Sequence, residues 1–579
     1  MKIKSDDLIP IENNFKVCAG PGAGKTYWLI NHIKNILCNS KRLQKNRKIA
    51  CITYTNVAVK TINERLGSYS KQVEVSTIHS FLYFNLLKPY VYSIANEYGL
   101  NFREIDGHQD MKVEGGKIRK WIKDHPRKNY FKSPILSEKQ LLNLQPNRKA
   151  INNWIKTLRY KFNEKELILF CDNSKAVYKT DDGEETRINK DTLDLLSSGL
   201  FEYKKLYWQE GIIDHEDVLF FSYQLLKRYP FMLKILNAKY PYFFIDEFQD
   251  TNPIQVKIIN MIAQEETVVG VIGDSAQSIY GFQGANCEQF ESFELMNMNN
   301  YEIHGNRRST NRIIDVLNSM RRDFKQKYIR NKEGEKPVIV IGDKIKAINK
   351  YNNEKLVTLS RKNITVNKIR KDIESTIFEN DFLERFKEAD SDKERRYTIM
   401  DTIFAIETAK NGNFREALKI LDRISFLEKN KKNKFHYLKS LLDDYDKYSN
   451  DFLIDLYTYI NDVLNVKLTT LRKNSKIRYF YENSKYKEFV ICVNSINEKS
   501  DNKTIHQSKG DEFDNIMIIK EDDNLDFLTN PDLINNEEHR IYYVAMSRAK
   551  EKLFINIPYL NNPKSLKNLE DLFEFIYLE

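Results

Sequence analysis

The chain has 579 residues, 41% of them hydrophobic, and 92 Lys and Arg against 81 Asp and Glu give a formal net charge of +11. One hydrophobic core does not grow to serve a chain of that length, so several domains are expected. No apolar run of about 18 residues occurs, so no membrane span is expected. The first ten residues, MKIKSDDLIP, hold two acids where a secretory signal would be apolar, and a cytoplasmic location is expected. The six cysteines are scattered without a C-x-x-C pair. Reduced, packed thiols are a better reading than a zinc site or an iron–sulfur cluster.

In chain order, the first informative stretch is FKVCAGPGAGKTYWLINHIKNIL, from Phe15 to Leu37. It reads as a short apolar strand, a Gly-rich turn and a helix. The turn comprises Ala19, Gly20, Pro21, Gly22, Ala23, Gly24, Lys25 and Thr26, and it fits a phosphate loop in which Ala19 replaces the usual first Gly. The glycines let backbone N–H groups curl round phosphate oxygens. The helix that follows points its positive end at the same anion. Lys25 is expected to reach the β/γ-phosphates of ATP, and the Thr26 hydroxyl to hold Mg²⁺. A plain Gly-rich turn before a helix is the competing explanation.

Between Met111 and Phe162 there are 14 Lys/Arg and 3 Asp/Glu, with Trp121, Tyr130, Phe131 and Trp154 among them. Cations interleaved with aromatics suit a nucleic-acid backbone and its bases. A solvated helical surface with its aromatics turned into a core would give the same pattern.

The next chemistry-bearing stretch is IDEFQDTN, residues 245–252, delivered by the apolar run Tyr242–Ile245. Adjacent carboxylates at the end of a buried strand need a cation, and Mg²⁺ bound to ATP supplies one. Asp246 is expected to hold the metal through water, and Glu247 to orient and deprotonate the attacking water. Alone, the acid pair would read as a surface turn; the upstream phosphate loop changes that. Gln249 and Gln277 are neutral groups able to hydrogen-bond a phosphate or its water and to change partner when it leaves. Short apolar runs (YFFI, VVGVIG, VIVIG, NIMII) alternate with amphipathic stretches, the pattern of an α/β fold with parallel sheets. Residues 373–485 have almost no Gly or Pro, and FREALKILDRISFLEKN spaces its apolar residues by three and four, so a helical insert is expected there.

Nine segments in order resemble the motifs of the UvrD/PcrA/Rep group of superfamily-1 DNA helicases. After the phosphate loop they are ITYTNVAVKTINERL (52–66), STIHSF (76–81), IIDHEDVLFFS (212–222), IDEFQDTNPIQ (245–255), IGDSAQSIYGFQGA (272–285), GNRRST (305–310), LVTLSRKN (356–363), TIHQSKGDEFDNIMII (504–519) and EEHRIYYVAMSRAKEKL (537–553). The resemblance implies two RecA-like parallel-sheet lobes of the P-loop NTPase class, with two mainly helical inserted subdomains. The expected boundaries are 1–84 and 223–304 for the first lobe, with 85–222 inserted. For the second they are 305–372 and 486–579, with a short insert at 373–485. By the same resemblance ATP binds between the lobes, Arg308 and Arg548 approach the γ-phosphate as arginine fingers, Glu512 holds the ribose and Arg307 lies at the base. Single-stranded or tailed duplex DNA is expected to meet Thr55, Asn56, His79, Ser80 and Phe282 in the first half and Arg361, Asn363, Thr504 and His506 in the second. Movement is expected to run 3′ to 5′.

Three departures stand out. The family reads adenine with a Gln near its N-terminus, whereas the first Gln here is Gln44; ATP selectivity over GTP is therefore open. Arg307 replaces a base-stacking Tyr, and Gln283 replaces an Arg after the stacking aromatic. The last motif ends at Leu553, so no appended nuclease is expected. Besides a helicase, the sequence suits a translocase that unwinds poorly, or a helicase-like subunit serving a partner nuclease in DNA repair or phage defence. The intact Lys25, Asp246, Glu247, Gln277, Arg308 and Arg548 argue against a degenerate site.

Overall fold

Short apolar stretches become the strands of two six-stranded sheets, both parallel throughout. The structure is a computed structural model that describes residues 1–44, 46–111, 113–132, 135–164, 166–179, 184–264, 266–370, 382–383, 385–386, 389–424, 427, 433–464, 466–492, 500–561 and 568–578. Two units emerge. The first comprises 1–308, 321–330 and 532–540; the second comprises 309–320, 331–531 and 541–579. The division falls after Arg308, four residues beyond the expected 304. No helix among the described residues is long and apolar enough to cross a membrane.

In the first unit, strands β1 (Phe15–Ala19), β2 (Ile49–Thr53) and β3 (Val73–Thr77) come early in the chain. Two antiparallel hairpins follow, β4 (Arg159–Asn163) with β5 (Glu166–Phe170) and β6 (Val177–Lys179) with β7 (Glu185–Arg187). The sheet is completed by β8 (Tyr242–Ile245), β9 (Val268–Gly273) and β10 (Asn299–Ile303), in the order β10-β1-β9-β8-β2-β3. Side chains alternate across it as a pleat requires. Ala50, Ile52, Phe243, Ile245, Val269 and Val271 enter one core, and Ile49, Cys51, Tyr242, Phe244 and Ile272 enter the other. The first of these cores continues into the insert through Trp121, Trp154 and Trp208. The insert is mainly helical, as expected, but the hairpins are an addition: RYKFN alternates polar and apolar residues, a period-2 signal within a helical region.

In the second unit, after the short pair β11 (Gly305–Asn306) and β12 (Lys327–Tyr328) of the first, come β13 (Val338–Ile341), β14 (Leu356–Ser360), β15 (Asn502–Thr504), β16 (Phe513–Ile519), β17 (Ala549–Ile557) and β18 (Glu574–Tyr577). Their order is β15-β14-β16-β17-β13-β18. The second insert builds a core of its own, with Phe386, Ile403, Leu421, Leu441, Tyr486 and Phe489 at its centre. Helix Phe414–Leu421 turns Ala417, Ile420 and Leu421 into it, the spacing expected from the sequence. Residues 373–381 of the expected insert, and 425–426 and 428–430 of the segment quoted above, lie outside the described residues.

His32 lies in the core behind β1, 1% exposed. Its ring stacks on Trp28 (centroids 5.1 Å apart, 8° between planes) and meets Phe15 edge-on at 5.0 Å. Neither ring nitrogen has a hydrogen-bond partner. Burial therefore lowers its pKa to about 4. Because the folded value lies below the unfolded one, protons favour the unfolded chain, and stability is lost as pH falls from about 6.5 through 4. His32→Phe is expected to raise stability by about 1–3 kcal/mol, the cost of leaving buried polar atoms unpaired. It should also flatten the acid side of the stability–pH curve, as read by chemical denaturation between pH 4 and 7.

Candidate nucleotide site and nucleic-acid groove

Strands β1, β9 and β8 are neighbours and parallel, so the segments leaving their C-terminal ends converge. The phosphate loop leaves β1, Asp246 and Glu247 leave β8, and Asp274 to Gln277 leave β9. A crevice outside the carboxyl ends of a parallel sheet is where such folds hold ligands. The loop returns into helix Lys25–Asn39, with Gly22 at φ 69° and Gly24 at φ 83°. Lys25 Nζ donates to the Ala19 carbonyl at 3.2 Å.

Thr26 Oγ1 donates to Asp246 Oδ2 at 3.2 Å, joining the two expected metal ligands. Burial and the neighbouring Glu247 raise the Asp246 pKa to about 7, against the pull of Lys25. Among the described residues no group of three or more His, Cys, Asp or Glu could hold a metal alone. Thr26 and Asp246 supply two oxygen donors, which leaves the remaining positions of an octahedral ion to water and phosphate oxygens. That is the donor set Mg²⁺ accepts, since it dehydrates reluctantly.

Glu247 has φ 56°, a left-handed backbone that costs a non-Gly residue roughly 1–2 kcal/mol. Its carboxylate accepts from Gln249 Nε2, and its backbone N–H donates to Asp246 Oδ1 at 3.0 Å. The same Gln249 accepts from the Asp274 backbone N–H at 3.0 Å. Gln277 Nε2 donates to Asp274 Oδ2 at 2.6 Å, and Arg321 Nη1 to Asp274 Oδ1 at 2.6 Å. Asp274 and Arg321 are 0% and 3% exposed. Gln249 thus links Glu247 to Asp274 in one polar chain that ends at Arg321, and Gln277 joins it at Asp274. Asp274 and Arg321 went unrecognised in the sequence. Asp274 stands in the IGDSAQ motif, but Arg321 carries no motif signal.

Arg307 and Arg308 also lie beside the loop within the first unit. Arg307 N donates to the Gly22 carbonyl at 2.9 Å, and its guanidinium pairs with Asp6 at 2.6 Å. Asn306 accepts from Arg308 N at 2.8 Å and donates to Gln326, which donates to the Pro21 carbonyl at 3.1 Å. A Cβ on Gly22 would stand 2.6 Å from Asn306 Oδ1 and 2.8 Å from Arg308 Cβ.

Four of the five first-half DNA candidates share one groove of about 560 Å³; Phe282 is not among its lining residues. Thr55, Asn56, His79 and Ser80 line it, together with Tyr54, Arg159, Glu216 and Gln283. Two further histidines unforeseen in the sequence face it. His108 Nδ1 lies 2.7 Å from His215 Nδ1, and the His79 and His215 rings are 5.2 Å apart. Burial, with His215 and His108 close by, lowers the His79 pKa to about 3. Thr55 also caps its helix by accepting from Ala58 N, and Ser80 accepts from Thr77 Oγ1. Tyr54 stacks on Tyr280 at 4.5 Å and donates to Gln283. Phe282, on a short turn, is 54% exposed.

In the basic window Trp121, Trp154 and Phe131 are buried, so they are core rather than stacking platforms. Tyr130 is exposed. Lys117 is paired with Glu210, while Arg119, Lys120 and Lys123 are exposed. Lys112 lies outside the described residues.

In the second unit, Arg361 and Asn363 follow β14, and Thr504 ends β15, paired with Ser360. His506 is two residues on, so these four candidates gather at adjacent strand ends. Thr504 Oγ1 accepts from Gln507 N at 3.2 Å. Glu512 precedes β16 and lies 3.7 Å from Lys550. Arg548, 4% exposed, donates to the Val544 carbonyl and Ser547 Oγ.

Parallel sheets with a phosphate loop and an acid pair at the ends of two strands flanking a third define a P-loop NTPase fold. The sequence matches the UvrD/REP helicase N-terminal domain over residues 4–296 and the UvrD-like helicase C-terminal domain over 374–558. The chain belongs to the UvrD-like helicase family. It is 29% identical over 331 residues to Gabija protein GajB of Bacillus cereus (strain HuB5-5), covering 53% of this chain and 46% of that protein. It is 26% identical over 316 residues to ATP-dependent DNA helicase Rep of Buchnera aphidicola (52% and 40%). To ATP-dependent DNA helicase PcrA of Staphylococcus aureus it is 25% identical over 346 residues (58% and 42%). The aligned part of this chain spans less than half the length of each of these relatives.

A Cβ on Gly273 would stand 2.5 Å from Gln249 Oε1. Gly273→Ala is therefore expected to push Gln249 off Asp274 N and to reproduce Gln249→Ala. Both should lower nucleotide turnover by about tenfold to a hundredfold, as loss of a positioned hydrogen bond does, with nucleotide affinity changed little. Steady-state hydrolysis with fluorescent-nucleotide titration checks this.

Proposed function

We propose that this protein is an ATP-dependent motor on single-stranded DNA, moving 3′ to 5′ and unwinding tailed duplex. The observation that carries the reading is the buried chain Glu247–Gln249–Asp274, with Gln277 and Arg321 on the same carboxylate. It gives the acid pair a route to respond to the γ-phosphate, which a passive nucleotide binder does not need.

In this reading, Gly20 to Thr26 cradle the phosphates and Lys25 leaves the Ala19 carbonyl for the β/γ-phosphates. Thr26 and Asp246 would hold Mg²⁺, which supplies charge neutralisation at the transferring phosphoryl group. Glu247, held by Gln249, accepts the proton of the attacking water. Gln249 and Gln277 exchange partners as the γ-phosphate departs. Arg308 and Arg548 stabilise the charge that develops, Glu512 holds the ribose and Arg307 the base. Thr55, Asn56, His79, Ser80 and Phe282 contact one stretch of strand, and Arg361, Asn363, Thr504 and His506 another. The intact catalytic set favours a working motor over a helper subunit with a silent site.

Lys25→Ala is expected to abolish hydrolysis and weaken nucleotide binding, whereas Glu247→Gln should spare binding and slow turnover by about a hundredfold or more. Single-stranded DNA should raise hydrolysis in the wild type and not in Arg548→Ala. Full activity without DNA, unaffected by Arg548→Ala, would replace the motor with a DNA-independent ATPase.

The exposed Arg119, Lys120 and Lys123 are assigned to phosphate contacts. Replacing all three with Gln should reduce the slope of log affinity against log salt by about 2, since each strand phosphate contact contributes about 0.7. DNA-free hydrolysis should not change. An unaltered slope, measured by anisotropy from 50 to 200 mM salt on the order used for such titrations, would assign these charges to a solvated face.

A further inference from the structure

The second insert holds a cavity that the motor does not use. It has a volume of about 580 Å³ and lies along helix Lys393–Lys410, closed on one side by the turn at Arg423 and Ile424. Tyr397, Met400, Phe404 and Ile424 give it apolar walls, Lys393, Glu394 and Thr398 complete its lining, and Asp401 lines it from the buried face of the helix.

Asp401 is the anomaly. Three acids are buried among the described residues of this insert: Asp390, Asp401 and Glu407. Asp390 is saturated by Arg395, at 2.6 and 2.9 Å, and by the Tyr481 hydroxyl. Glu407 accepts from Tyr445 and Tyr486, both at 3.0 Å. Asp401, only 4% exposed, has no hydrogen-bond partner among the described residues. The one opposite charge acting on it is Arg423, an exposed rim residue beyond ion-pair distance. Burial raises its pKa to about 6, so it is still charged at pH 7.5. An unpaired buried carboxylate is costly and gains strongly from an incoming cation.

The walls select the kind of cation. The lining offers two carboxylates, Asp401 and Glu394, and among the described residues no group of three or more His, Cys, Asp or Glu could hold a metal, whereas Ca²⁺ takes about six to eight oxygens. A nucleic-acid phosphate would be repelled by Asp401. An aromatic wall welcomes a cation on an apolar stem, and Lys393 and Arg396 already stand 5.8 and 5.7 Å from the Tyr397 ring centre. We propose that this cavity binds an organic cation, a guanidinium, amidinium or ammonium on an apolar stem, with its charge on Asp401 and its stem against Tyr397, Met400 and Phe404. Such a group could come from a free small molecule or from an Arg or Lys side chain of a partner protein. The proposal does not depend on motor activity.

The test uses the full chain at pH 7.5 and two probe pairs, read by isothermal titration and by ligand-observed NMR. Benzamidine and neutral benzamide represent the free molecule. An Arg-containing leucine-rich tetrapeptide and its citrulline twin represent the side chain. Saturable binding of benzamidine, at least about tenfold tighter than benzamide, and a similar loss in Asp401→Asn are expected for a desolvated charge pair. If the free cation alone binds, the cavity serves a small molecule; if the Arg peptide alone binds, it serves a partner's side chain. Tyr397→Ala should weaken whichever cation binds, and the melting temperature of Asp401→Asn should equal or exceed that of the wild type. Two results would overturn the proposal. One is binding by neither cation, or equal binding by wild type and Asp401→Asn. The other is a fall of several degrees in melting temperature in Asp401→Asn, which would make Asp401 a structural partner of Arg423.

Discussion

Two carboxylates on consecutive residues, Asp246 and Glu247, meet at the end of a strand buried on both faces. Like charges so close raise each other's cost of ionisation, and burial adds to it. The protein meets this constraint locally. Gln249 donates to Glu247 and Thr26 to Asp246. The Asp246 pKa is nonetheless pushed up to about 7, because burial and Glu247 outweigh the pull of Lys25. The two carboxylates stay electrostatically linked, so a charge arriving beside the pair shifts the energy of both.

That shift has somewhere to go because β8, β1 and β9 are consecutive in the sheet. Their alternating faces lock each strand between two cores, so the strand ends are fixed while the side chains on them can exchange partners. Gln249 joins the end of β8 to the end of β9. Arg321 then neutralises Asp274, which has no exposure at all. Breaking a buried pair of this kind costs several kcal/mol, on the order of 3–5. Asp274 and Arg321 are joined by charge, whereas Gln249 and Gln277 are tied to Asp274 by neutral groups.

What could be read from the sequence follows from this division. The phosphate loop, the acid pair and the strand-forming runs are local, set by spacing over a few residues. Two parallel sheets follow from the alternation of apolar runs and helices. Arg321 pairs with a residue 47 positions away, His108 meets His215 across 107, and Asn306 and Gln326 reach a loop some 300 residues earlier. No spacing rule joins such residues; only the fold does. The basic window shows the converse. Its tryptophans looked like stacking platforms but fill the insert's core, because periodicity gives the apolar face of a helix and not what covers that face.

The departures from the family pattern are chemically coherent. Where an Arg would follow the stacking aromatic, Gln283 accepts from Tyr54, whose ring stacks on Tyr280. A neutral hydrogen bond thus holds the aromatic pair at the groove. Arg159, from the first hairpin, donates to the Phe282 carbonyl and restores a positive charge beside the same turn. Similarly, Arg307 takes the place of a stacking Tyr and is held by Asp6 from the N-terminal segment that lacks the adenine-reading Gln. A guanidinium is flat and can still cover a base, but the partner that orients it is a carboxylate. In place of the neutral Gln and Tyr of the family pattern, this chain sets a carboxylate and a guanidinium against each other beside the phosphate loop, where Arg307 N also holds the Gly22 carbonyl.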